Sequence, residues 1–143
     1  MKKSYILFVL LALVMVFTQA CNNGGGDNNN TTNPSTTNQD LLKTWKASSV
    51  LEGSLDITSE FSQYRITFSE TNGSKDFTLV QRDGTSLTGT WSLSTDNTTI
   101  TLTTGGNTIT LSGVSISATQ LKYTADEQGK AGTVNLSFTL IPA

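Results

Sequence analysis

The side chains this chain lacks bound its chemistry as firmly as those it has. Its 143 residues include no histidine and one cysteine, Cys21. Without an imidazole, Ser-His-Asp and Cys-His catalysis and the commonest zinc sites are excluded in their usual forms. Carboxylates remain. Asp56 and Glu60 stand four apart and Asp126-Glu127 are adjacent, but both pairs fall in stretches that read as loops, where solvated surface charge accounts for them. Oxygen ligands alone would suffice for calcium at Asp126, Glu127 or Asp96-Asn97, yet the spacing matches no recognised calcium loop. The expectation is therefore a protein that is not an enzyme and uses no metal or cofactor. Aromatic side chains are the remaining candidates. Trp45, Tyr64, Phe68, Phe77, Trp91, Tyr123 and Phe138 share the inward phase of an alternating pattern. Such a set either packs a core or lines a pocket for one small apolar molecule. Tyr64 and Tyr123 suit a pocket wall best, because a buried phenol needs a partner for its hydroxyl.

The elements that carry these residues are strands. From Leu41 onward apolar residues recur with period two, the pattern of strands buried on one face. Tyr64, Ile66 and Phe68 alternate with Arg65, Thr67 and Ser69. Phe77 and Leu79 follow, then Leu87, Trp91 and Leu93, Ile100 and Leu102, Ile109 and Leu111, Leu121 and Tyr123, and Val134 to Leu140. An opening strand from Trp45 to Leu51 makes eight. Asn72-Gly73 and Asp83-Gly84 suit tight hairpins, and Asp96-Asn97 and Gly105-Gly106-Asn107 supply further turns. Apolar parity slips from odd to even between Leu111 and Val114, which predicts a bulge or sharp bend at Gly113. The one candidate for a helical turn is Asp56 to Gln63. Eight sequential strands predict an all-β domain that closes as an up-and-down barrel, with a two-sheet sandwich as the alternative. Thr and Ser dominate the outward phase.

The first 40 residues are of another kind. Lys2 and Lys3 precede an apolar run from Tyr5 to Phe17, the layout of a secretory signal peptide over residues 1–20. The run is shorter than the roughly 20 apolar residues a permanent membrane span needs. Residues 22–40, NNGGGDNNNTTNPSTTNQD, hold no large apolar side chain and read as a flexible linker, with a root-mean-square reach of roughly 25 Å. Removing Lys2 and Lys3 leaves seven basic residues (nine minus two) against eleven acidic ones, a net charge of −4. Nucleic acid is excluded as a partner, since phosphate binding needs a basic patch.

Two resemblances complete the reading. Cys21, directly after the apolar run and Ala20, resembles the lipobox of bacterial lipoproteins. That resemblance implies a diacylglycerol on the Cys21 sulfur, cleavage before it, and a membrane partner engaged through the lipid anchor. It implies the cell envelope as location, with the outer membrane expected because Asn22 is not the Asp that commonly retains such proteins at the inner membrane. The second concerns residues 41–143. Leu41-Leu42-Lys43-Thr44-Trp45-Lys46, Tyr64-x-Ile66-x-Phe68, Phe77-Thr78-Leu79, Gly89-Thr90-Trp91-Ser92-Leu93 and Leu121-Lys122-Tyr123 resemble the strands of bacterial lipocalin-like domains. In that family a Gly-x-Trp motif opens the first strand; here Lys43 stands at the glycine. The resemblance implies a barrel with Trp45 plugging its closed end. Two functions stay open. One is a lipid-anchored binding protein holding a small hydrophobic molecule inside the barrel. The other is a surface module that binds protein or glycan, with a filled interior.

Overall fold

Period-two patterning, split by left-handed turns, folds into one continuous antiparallel sheet. The computed structural model of the chain describes residues 36–129 and 132–143. The leader expected over residues 1–20, the expected lipid site at Cys21 and the expected linker as far as residue 35 lie outside the described residues. A short helix, α1 (Thr36–Leu41), occupies the stretch that reads as the end of the linker. Its last residue, Leu41, is fully buried.

The strands are β1 (Thr44–Glu52), β2 (Leu55–Asp56), β3 (Arg65–Thr71), β4 (Ser74–Val80), β5 (Ser86–Leu93), β6 (Thr99–Thr104), β7 (Asn107–Ile116), β8 (Leu121–Gly129) and β9 (Gly132–Pro142). A 3-10 helix, Thr58–Phe61, lies where the sequence leaves room for one helical turn. Each strand from β3 to β9 pairs with its neighbour in sequence, and β1 pairs with both β3 and β9. Trp45 shows the closure directly, standing opposite Ile66 on one side and Pro142 on the other. The result is a closed eight-stranded barrel with β2 added to the end of β1, not a sandwich. Closure leaves no long unpaired edge to recruit another chain.

Local chemistry sets the register. Asn72 and Gly73 both have positive φ (52° and 82°), as do Gly105 and Gly106 (53° and 84°), giving two-residue hairpins whose twist matches that of the strands. Gly113 adopts φ +61° and the β7–β8 register shifts between Ser112 and Ser115, so the parity slip is a bulge. A second shift, between Ala47 and Ser49 of β1, moves the inward phase from odd-numbered Trp45 to even-numbered Val50. Asp83-Gly84 departs from the tight hairpin expected of it. The Asp83 carboxylate accepts the Thr85 N–H at 2.8 Å, and Gln81 N–H reaches the Thr85 carbonyl at 2.8 Å, which widens the turn into a loop from Gln81 to Thr85.

Strand directions sort the connections into two ends. At one lie α1, the Asn72-Gly73 turn, the 94–98 loop and the 117–120 loop; at the other lie β2, the 3-10 helix, the 81–85 loop and the Gly105-Gly106 turn. The α1 end is sealed by Leu41 and Trp45, both fully buried, with the Trp45 indole N–H donating to the Leu41 carbonyl at 3.0 Å. Lys43 lies over the Trp45 ring, 5.1 Å from its centroid, and its ammonium donates to the Ala118 carbonyl at 2.9 Å, tying the link between α1 and β1 to the 117–120 loop.

Candidate functional site

All seven inward aromatics are buried, and the structure divides them. Trp45 belongs to the seal at the α1 end. Phe68, Phe77 and Trp91 form a second group on β3–β5. There Phe68 stands opposite Phe77 and meets the Trp91 ring edge-on at 5.7 Å. The Trp91 indole donates to the Ser69 carbonyl at 3.1 Å, and Lys75 covers its outer face at 4.8 Å. These contacts satisfy the group from within the barrel wall.

Tyr64, Tyr123 and Phe138 form the third group, towards the opposite end. Phe138 on β9 stacks on Tyr64 at 5.2 Å and on Tyr123, its cross-strand partner, at 5.0 Å. The two tyrosine hydroxyls hydrogen-bond to each other at 2.8 Å, 59 residues apart in sequence. Burial raises both phenols above their usual range, and nearby Glu127 adds to the effect, so both stay neutral at any physiological pH. Two hydroxyls bring two protons and four lone pairs. Their mutual bond consumes one of each, which leaves one O–H still able to donate. Among the described residues no acceptor on the protein takes that proton.

Phe61 closes this group from above. It is 1% exposed and meets Phe138 edge-on at 5.4 Å and Tyr64 at 5.9 Å. From sequence it reads as the one large apolar residue of a loop. The structure turns it inward as a plug, because the 3-10 helix lays Thr58–Phe61 across the opening. Val50 N–H donates to Thr58 Oγ1 at 2.9 Å, and Ile57 N–H to the Val50 carbonyl at 2.9 Å, tying the cap to β1. Tyr64 N–H donates to the Phe61 carbonyl at 3.0 Å, so cap and tyrosine share a backbone link. Outside, Arg82 spans the cap. Its guanidinium lies 5.8 Å from the Phe61 ring centroid and 3.5 Å from the Glu60 carboxylate.

Glu127 is the residue that sequence reasoning misplaced. Asp126-Glu127 reads as loop charge, but both residues belong to β8. Asp126 points outward and accepts from Asn135 at 2.8 Å. Glu127 continues the inward phase of Leu121, Tyr123 and Ala125 and is half-buried at the mouth. Desolvation raises its carboxyl above the usual range; Arg82 opposes that shift and Asp83 adds to it. Period two was the available signal, since Glu127 has the parity of Tyr123. The other expected carboxylate pair is not brought together around a site. Asp56 turns to the Thr58 N–H at 2.8 Å, and Glu60 to Arg82.

A closed antiparallel barrel with aromatic inward faces, one sealed end and one capped end defines the class of small β-barrels. Within it, the model of the lipocalin-like domain family matches residues 41–123, and the chain belongs to that family. A crystal structure of zebrafish ileal bile acid-binding protein complexed with cholic acid aligns at a TM-score of 0.41 and 14% sequence identity, over 73% of this chain and 99% of that one. No curated protein sequence matches.

Proposed function

We propose that this chain is a lipid-anchored binding protein of the cell envelope, which holds one small hydrophobic molecule in the capped half of its barrel. The observation that carries this reading is the Tyr64–Tyr123 hydroxyl pair. A core built for stability alone would be served as well by two phenylalanines, since each hydroxyl costs desolvation that their single mutual bond offsets only in part. A molecule entering beneath the cap would meet Phe61, Phe138 and the two tyrosine rings as apolar walls, and the spare O–H as one polar contact. Few polar groups among many apolar ones is the usual composition of such sites.

Support for the anchor rests on sequence: the apolar run, Ala20 and the lone Cys21. Protein or glycan binding at the loop tips has weaker support. Phe61 is buried, and among the described residues the large hydrophobic left exposed is Leu55 alone. A single exposed leucine is ordinary surface, not a docking patch.

Native mass spectrometry of the chain purified from its own host tests the binding reading. A reproducible added mass that disappears on denaturation is the expected result. A bare protein, still bare after exposure to a host lipid extract, would overturn it.

A further inference from the structure

The binding reading leaves the chemical class of the ligand open, and the charges at the mouth narrow it. Among the described residues, the buried interior holds no charged side chain. At the mouth stand Glu127 on the inward phase of β8, Asp83 on the 81–85 loop and Glu60 on the cap, against one cation among the described residues, Arg82. That guanidinium is committed outside the plug, to the Glu60 carboxylate and the outer face of Phe61. A buried carboxylate ligand needs a cation or several donors to offset its lost hydration. The described site offers one phenolic proton and, four residues further along the same face of β8, a like charge. A neutral oxygen asks for less. It accepts the spare tyrosine proton and leaves Glu127 undisturbed.

We propose that the site selects amphiphiles with an uncharged, hydrogen-bond-accepting head, a hydroxyl or a carbonyl, and discriminates against the carboxylate of the same chain length. The Tyr64–Tyr123 pair is the positive element and Glu127 the repulsive one, so specificity arises from both. The inference rests on the binding reading, and its test separates the two.

The full chain carrying Cys21→Ser is loaded at pH 7.5 with the uncharged fluorescent probe N-phenyl-1-naphthylamine, then titrated with dodecane, 1-dodecanol and dodecanoate. Dodecanol is expected to displace the probe at least about tenfold more tightly than dodecanoate. Glu127→Gln should narrow that gap by improving dodecanoate more than dodecanol. Either tyrosine alone keeps a proton to donate, so the informative variant is the double one, Tyr64→Phe with Tyr123→Phe. It should still bind the probe while losing the preference for dodecanol over dodecane. Dodecanoate binding as tightly as dodecanol, with the probe bound normally, overturns the selectivity and leaves the binding reading intact. Failure of probe and all three ligands to bind overturns both.

Discussion

At the scale of single residues, the tyrosine pair offers a direct optical test. The chain has three tyrosines, Tyr5, Tyr64 and Tyr123, of which Tyr64 and Tyr123 lie among the described residues. Both phenols are pushed up by burial, so neither should ionise in the folded protein near the ordinary tyrosine pKa of about 10. Unfolded, they ionise there. Stability supplied by the neutral pair is thus fully present below about pH 10 and falls as pH rises further. In protein lacking residues 1–20, phenolate absorbance should rise in one step that coincides with loss of structure by circular dichroism. A gradual rise in folded protein near pH 10 would mean the pair is open to water. Glu127 carries the same sign at lower pH. Its raised pKa means the unfolded chain ionises first, so stability drops as pH rises through the usual carboxylate range and on to the raised value. Glu127→Gln should therefore raise the melting temperature at pH 7 and change it little at pH 3.5. An equal gain at both values would trace the effect to packing. Gly89 makes a steric prediction. A Cβ there would fall on the Thr103 carbonyl oxygen and within 3.0 Å of the Phe77 ring. Gly89→Ala should cost about 3 kcal/mol in urea denaturation, the upper range for overpacking; a cost below about 1 kcal/mol would show that β6 can yield.

At the scale of elements, the cap is tied to β1 by hydrogen bonds within and fastened from outside by Arg82. Its outer fastening is one exposed ion pair at 3.5 Å and one cation–π contact at 5.8 Å, each worth about 1 kcal/mol or less. Losing both would shift cap opening by up to about thirtyfold, since 1.4 kcal/mol is about a factor of ten. Arg82→Ala should accordingly speed both uptake and release of probe in stopped-flow fluorescence while moving the equilibrium affinity much less. Unchanged rates would mean that the 3-10 helix is not the way in. The cap also shows where the sequence stops being informative. Strand parity on β3 to β9 follows from alternation, and Gly113 announced its bulge because apolar residues flank it on opposite parities. The β1 shift was hidden, because small Ala47 and Ser48-Ser49 give parity nothing to register. Phe61 was visible as an aromatic but not as a plug, since its inward turn depends on Thr58 reaching the Val50 N–H across the chain. Glu127 was discounted for its charge. Alternation placed it correctly, and composition argued it away.

At the scale of the whole molecule, the barrel has one sealed end and one end with the candidate site. The chain enters through α1, whose Leu41 seals one end with Trp45, and the candidate site lies under the cap at the other. No side chain of the site is shared with α1. Under the proposed function the anchor at Cys21 and the site under the cap use different residues, so anchoring and binding should be separable properties. Cys21→Ser in the full chain is expected to move the protein from the membrane pellet to the soluble fraction of its host. The same change should leave the melting temperature and probe affinity of the barrel as they were, because the residues proposed to hold the ligand all belong to the barrel and its cap. Fractionation and probe titration on the two forms measure both halves. A variant that stays in the membrane pellet would remove the lipid anchor from the proposed function without touching the barrel. Release accompanied by a large loss of affinity would show instead that the residues before α1 take part in the site.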